Sequence, residues 1–408
     1  MKTFTAILAL FALAACASST STQPPLETES RHDVPPIVKP NDTAEVEAGK
    51  HVFRFDTFGD ERFWTDTAHL NDVIQNAVSP KVALSVGLKV DADALPTRLI
   101  AALQADQVDL NSPATTVALI KLNAVVGVIG KVDDHGNLRS VGISCALCHS
   151  TVNNSVAPGI GSRLDGWPNR DLNPGAIIAL SPAIPPAEKM VYNSWGPGRY
   201  DPRFNIDHFA GNHVNGPVLI PPAYGLAGVS LETYTGDGSI PYWNDYVAVT
   251  QMHALGNFSD PRLGPAYTVT SQIELVAPKL PALRAYEESL AKPSVPAVVD
   301  TAAVQRGRDL FFGMAQCSTC HALPNYTDVN SGRLHSPTQI GTDPEYALRS
   351  ATKMYRTTPL RALALHPPYF HNGSAATLGD VVNHYDTQFH LGLTAQQKSD
   401  LVQYLRTL

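Results

Sequence analysis

The chain opens on an apolar run, residues 4–15, preceded by a single positive charge at Lys2. The run is too short to span a bilayer but has the length of a signal-peptide core, so residues 1–15 predict export. From 43 to 150 apolar positions recur at helical and mixed spacings, densest over 99–103 and 117–129. The aromatic and acidic run Phe53 to Trp64 reads as packing. Between Pro158 and Pro222 periodicity fades and Pro, Gly and Asn dominate, which predicts long ordered loops wrapped around something they can pack on. A helical pattern returns over 280–290, breaks at the proline-rich joint Ala291 to Pro296, and resumes as a short amphipathic helix over 304–312. The last segment, 394–405, has a capping box at Thr394 and Gln397 and an apolar face of Leu401, Val402 and Leu405. The pattern predicts a mainly α protein. Its segments are a signal peptide (1–15), a tether (16–44), an N-terminal domain with a helical extension (45–290) and a C-terminal domain (297–408).

Composition narrows the class. Of the 408 residues, 44% are hydrophobic and 16% charged, the balance of a globular body. The net charge of -7, without any Lys/Arg cluster, excludes a nucleic-acid partner. The apolar run ends in Leu13-Ala14-Ala15-Cys16, which resembles the bacterial lipobox, so Cys16 is expected to be acylated. The Ser/Thr/Pro-rich stretch 17–40 would then be the tether. Ala17 after that cysteine fits outer-membrane sorting, which puts the expected location on the periplasmic side of the envelope, held by lipid alone.

The five cysteines decide the chemistry. Besides Cys16 they form two identical motifs, Cys145-Ala146-Leu147-Cys148-His149 and Cys317-Ser318-Thr319-Cys320-His321. In each, two thiols one helical turn apart can add to the vinyl groups of one porphyrin, and the adjacent histidine can ligate its iron. Structural zinc wants four ligands close together, whereas these pairs stand 172 residues apart, from Cys145 to Cys317. A dithiol redox pair needs no following histidine. The expected cofactors are therefore two covalently bound haem c groups, with His149 and His321 as proximal ligands. The opposite axial position separates a closed electron carrier from an open, reactive iron. The mature chain offers Met190, Met252, Met314 and Met354, of which Met314, just before its own motif, is expected in the core.

The run Met354-Tyr355-Arg356-Thr357-Thr358-Pro359-Leu360-Arg361, with Pro367-Pro368-Tyr369-Phe370-His371-Asn372-Gly373-Ser374 and Thr377-Leu378, resembles the signature of bacterial dihaem cytochrome c peroxidases. Rubber oxygenases and the dihaem enzyme of methylamine utilisation are related to that family. The resemblance implies two cytochrome c-like haem domains with long ordered loops. It also implies an N-terminal haem that meets the oxidant and a C-terminal haem where electrons enter. By position in the family motif, Met354 is the distal ligand of the second haem, and by the rubber-oxygenase pattern His371 is the alternative. At the first haem the resemblance makes His213 the distal acid/base candidate and His208 the second. Trp195-Gly196-Pro197-Gly198 and Tyr234-Thr235-Gly236-Asp237-Gly238 stand where peroxidases carry Trp-Asp-Gly-Arg, so that motif is altered here. Trp243 reads as an inter-haem relay or as core. The expected function is that of a periplasmic, lipid-anchored dihaem oxidoreductase of peroxidase type. The alternatives are a dihaem electron-transfer protein and a rubber-oxygenase-like dioxygenase. Expected partners are small redox proteins or quinol-linked donors, hydrogen peroxide or dioxygen, and a second copy of the chain in a homodimer.

Overall fold

Helix Thr43–Phe55 turns Gly49, Val52 and Phe53 inward, at the i, i+3 and i+4 spacing of one helical face. It lies along helix Leu280–Ser289, whose buried side chains are Leu283 and Tyr286 among others. The two backbones cross at Gly49, where a Cβ would stand 1.8 Å from the carbonyl oxygen of Ala282. Phe53 then meets Tyr286 edge-on at 5.4 Å. The same device recurs in the C-terminal part. Helix Thr301–Phe312 crosses helix Ala395–Leu405 at Gly307, where a Cβ would stand 2.0 Å from the carbonyl oxygen of Asp400. Phe311 meets Tyr404 at 5.4 Å. Gly-x-x-x-Phe on one helix and Leu-x-x-Tyr on the other are thus an internal repeat. Phe53 and Phe311 are both essentially fully buried, a burial that contributes about 2–3 kcal/mol for each phenyl ring.

The computed structural model describes residues 43–204, 215–295 and 300–408, and within them the fold is mainly α. The helical extension has its own core of Ile120, Val125, Leu138 and neighbours. There, helices Leu70–Ala77, Thr97–Gln104 and Pro113–Lys121 pack with the antiparallel hairpin Val128–Val132 and Leu138–Ile143. The hairpin runs directly into the first Cys-x-x-Cys-His turn. Gly127, at φ +73°, lets the turn sit on the strand: a Cβ there would fall 2.1 Å from the backbone nitrogen of Leu147.

The capping box at Thr394 and Gln397 forms as expected, and a second closes Thr377 with Asp380. Two expectations are corrected. The stretch 158–222 is loop-rich but contains short helices at Pro174–Ile178 and Pro186–Asn193. Both start at a proline, whose fixed φ and missing N–H suit the first helical position, and Asn173 caps the earlier one by accepting the Ala176 N–H. Met314 is not core but 52% exposed, because the preceding helix stops at Phe312 and Gly313 turns the chain outward.

The N- and C-terminal parts interlock. Leu219 N–H donates to the carbonyl of His371 at 2.7 Å, and Arg356 N–H to that of Tyr234 at 2.9 Å. Arg349 pairs with the fully buried Asp201 at 2.9 Å and also donates to the Gly216 carbonyl at 3.1 Å. No helix among the described residues is long and apolar enough to cross a membrane. Cys16, the signal run and the tether to residue 42 lie outside the described residues.

Candidate haem-attachment sites

Both motifs fold into a single tight turn. In the first, helix Ala146–His149 is entered through Cys145, and the His149 N–H reaches the Cys145 carbonyl at 3.2 Å. In the second, a 3-10 turn spans Cys317–Thr319, and the His321 N–H reaches the Cys317 carbonyl at 2.9 Å. Each turn therefore presents two thiols and an imidazole within about one helical turn, as porphyrin attachment requires.

The imidazoles are fixed alike. His149 Nδ1 is bound to the carbonyl of Pro221 at 3.1 Å, and His321 Nδ1 to the carbonyl of Tyr326 at 3.0 Å. A carbonyl only accepts, so Nδ1 carries the proton and Nε2 keeps its lone pair for a metal. Burial lowers the His149 pKa to about 4 and lowers that of His321, so both rings are neutral near pH 7. Burial also pushes the Cys148 thiol up to about 12 and the Cys317 thiol to about 11, and raises Cys145 further. Thiols held protonated suit addition to a vinyl group and oppose both a zinc thiolate site and a reactive thiolate. Among the described residues no disulfide forms, and the only metal-ligating trio is Cys320, Asp328 and His335, so nothing joins the two cysteine pairs around one ion. The donor sets thus fit two separate haem groups.

His371 is buried, and its Nε2 stands 3.1 Å from the hydroxyl of Tyr355. That hydroxyl donates its single proton to the Asp343 carbonyl at 2.8 Å, so His371 Nε2 must be the donor between them. Its ring stacks on Tyr355 and Tyr346, in a cage of aromatics at the junction of the two halves. Met354 is partly buried, its backbone held by the Thr352 hydroxyl at 3.2 Å. Trp243 lies in the core against which Cys145 packs, edge-on to Tyr246 at 5.5 Å. His208 and His213 lie outside the described residues.

Two tyrosines at these sites were not singled out by sequence. Tyr385, on helix Leu378–Phe389, is part-buried; desolvation raises its pKa to about 12, and Cys320 and Cys317 neighbour its phenol. Tyr200 is part-buried with Cys148 among its neighbours and donates to Gln251 Oε1 at 2.5 Å. A tyrosine is usually packing, and nothing local marks these two. The available signal was position: Tyr385 falls 14 residues after His371, on a capped helix facing the second motif.

No family model matches the chain. Methylamine utilization protein MauG of Methylorubrum extorquens is 28% identical over 151 residues, 31% of this chain and 42% of that protein. Cytochrome-c peroxidase IdrP1 of Denitromonas iodatirespirans is 31% identical over 152 residues, 26% of this chain and 40% of that protein. The chain therefore spans about two-fifths of the length of these curated relatives. Among solved structures, hydrazine synthase of Kuenenia stuttgartiensis aligns at a TM-score of 0.34 and 18% identity, covering 47% of this chain and 73% of that one. A MauG-like protein associated with microbial copper homeostasis aligns at 0.32 and 22%, covering 48% and 74%. Both structural alignments are loose. The sequence relatives and the paired motifs together make this chain a relative of the dihaem cytochrome c peroxidase-like proteins, whose cofactors are c-type haems.

Proposed function

We propose that the protein is a periplasmic, lipid-anchored dihaem c-type oxidoreductase of peroxidase type, built from two cytochrome c-like domains, 45–290 and 297–408. The observation that carries this reading is the duplicated turn in which a part-buried neutral histidine, its Nδ1 tied to a backbone carbonyl, follows two cysteines. Cys145 and Cys148, and Cys317 and Cys320, hold the two porphyrins through thioethers, and His149 and His321 offer Nε2 to the irons. Haem iron would supply electron transfer and a coordination position for peroxide or dioxygen; the residues around Cys317–His321 would hold the centre where electrons enter, and those around Cys145–His149 the centre that meets the oxidant.

The chain's own part is positional. The Pro221 and Tyr326 carbonyls orient the proximal rings and raise their basicity, which favours the oxidised metal. His213 is the side chain assigned to move a proton on bound peroxide. Tyr385, whose phenol neighbours Cys317 and Cys320, would line the second porphyrin and is the preferred candidate beside its iron. Met354 and His371 are the alternatives. The electron source is a small redox protein or a quinol-linked donor. Cys16 is the lipid-bearing residue that holds the protein at the outer membrane, and the protein works as a monomer or homodimer.

The test is an optical and EPR titration of the purified holoprotein through its oxidised, half-reduced and fully reduced states, followed by carbon monoxide and hydrogen peroxide. One haem that binds carbon monoxide, and a half-reduced form that peroxide oxidises, are the expected results. Two low-spin haems inert in every state would make the protein an electron carrier instead.

A further inference from the structure

Where the two halves meet beside the first motif, positive charge gathers in the interior. Asn169 N–H donates to the Cys148 carbonyl at 2.9 Å, Gly166 N–H to that of His149 at 2.8 Å, and Ala223 N–H to that of Gly166 at 2.8 Å. These bonds set Arg170 and Tyr224 directly against the first Cys-x-x-Cys-His turn. Arg361 arrives from the C-terminal half: its Cδ lies 3.0 Å from where a Cβ on Gly225 would be. The same loop returns to Arg170 through the His366 carbonyl, which Arg170 Nη2 reaches at 3.4 Å.

Several polar atoms in this cluster are buried without a hydrogen-bond partner among the described residues: Arg170 Nε and Nη1, Arg361 Nη2 and the Tyr224 hydroxyl. The charges do not balance either. Arg356 and Arg361 face the buried carboxylate Glu232, which Arg356 already holds at 3.0 Å, while Arg170 has Tyr234, Tyr224 and Arg199 beside it. The neighbouring Glu287 carboxyl, raised to about 8 by burial, is neutral near pH 7, so two guanidiniums meet one carboxylate and Arg170 adds a further positive charge. Arg199 adds to the excess at the margin, and Glu288, which also acts on Glu232, is engaged by Arg284 at 2.9 Å. Burial lowers the Arg170 pKa and takes Arg361 down to about 10, the Glu232 carboxylate offsetting only part of the loss at Arg361. Buried donors of this kind are costly unless an anion meets them. A porphyrin attached at Cys145 and Cys148 brings two carboxylates, and guanidinium forks are suited to them.

We propose that Arg361, Arg170 and the Tyr224 hydroxyl bind the two carboxylates of the haem held at Cys145 and Cys148, so that the C-terminal half completes the cofactor site of the N-terminal half. This rests on the dihaem reading above. Arg361 is then a positioning residue that ties the properties of the first haem to the docking of the second domain. Removing its charge leaves a carboxylate uncompensated, which favours the ferric state and lowers that haem's reduction potential.

The experiment is a spectroelectrochemical titration of the full-length holoprotein and of Arg361→Gln, Arg361→Lys and Tyr224→Phe, each haem followed by its own optical and EPR signature. In Arg361→Gln the ferric-to-ferrous ratio of the N-terminal haem at fixed potential should rise at least tenfold, about 59 mV for one electron. Arg361→Lys should restore most of that shift, Tyr224→Phe should give a smaller one of the same sign, and the C-terminal haem should not move. A change under threefold at the N-terminal haem in Arg361→Gln, or a shift confined to the C-terminal haem, overturns the assignment. If Arg361→Gln does not accumulate, Tyr224→Phe decides: a fall in the N-terminal haem's potential supports the clamp, and no change overturns it. Haem content of the unaltered protein is measured alongside. Absence of haem at Cys145 and Cys148 would defeat the dihaem reading itself, and is thereby distinguished from a failure of the clamp.

Discussion

At the residue scale, hydrogen-bond accounting separates histidines that look alike in sequence. His149 and His321 give Nδ1 to carbonyls and keep Nε2 available, whereas His371 spends Nε2 on Tyr355. Burial lowers the His371 pKa to about 4, against about 6.5 in the unfolded chain. Between those values the unfolded chain binds a proton that the folded one does not, so stability falls as pH drops from about 6.5 to about 4. The loss attributable to His371 is about 3 kcal/mol over that window. Denaturant midpoints at pH 7 and pH 4.5 should therefore converge in His371→Asn relative to the parent. Equal slopes in the two proteins would show that His371 does not titrate this way. The optical spectrum gives a second check, because Tyr385→Phe should alter the axial-ligand bands of the C-terminal haem and Met354→Leu should not. The reverse result would return Met354 to the iron. The cysteines and proximal histidines were legible because their chemistry is local. The carbonyl of Pro221, 72 residues beyond His149, was not, since long-range backbone partners leave no mark in composition.

At the scale of elements, the repeated helix crossing explains why each haem-binding half begins and ends where it does. Gly49 and Gly307 exist to let backbones touch, so the usual gain from Gly to Ala in a helix inverts here. Gly49→Ala and Gly307→Ala should each destabilise by about 1–3 kcal/mol or more, as overpacking does. Gly379 is the control: a Cβ there meets only the Thr377 hydroxyl at 3.4 Å, so Gly379→Ala should be neutral or stabilising by up to about 1 kcal/mol. Chemical denaturation of the three variants decides it, and equal effects would mean that the crossings are not tight. The terminal helix and its capping box were readable because cap, period and apolar face agree over 394–405. The helix pairing was not, because Gly49 and Ala282 are brought together only by tertiary contact. The short helices in the proline-rich stretch carried a legible signal in Asn173-Pro174, but five residues are too few for periodicity to show.

At the scale of the whole molecule, the boundary near 291–296 separates two similar helix pairs without separating two independent bodies. Asp201 is fully buried and accepts from Arg203 N–H at 2.9 Å and Gly216 N–H at 2.7 Å as well as from Arg349 across the junction. Arg349→Met leaves that carboxylate without its cation and should cost about 3–5 kcal/mol, read by denaturation of the holoprotein. A loss under about 1 kcal/mol would mean that the junction contributes little, as exposed ion pairs do. The two Cys-x-x-Cys-His motifs announced the cofactor, but their sequence separation hid how closely the halves that carry them are joined. The central claim is that both turns carry covalent haem. The intact mass of the holoprotein, measured together with its haemochrome absorbance, decides this. The expected mass is that of the chain plus two haems, falling to one haem in Cys145→Ala/Cys148→Ala and, separately, in Cys317→Ala/Cys320→Ala. A chain without haem, or with zinc on either cysteine pair, would contradict it.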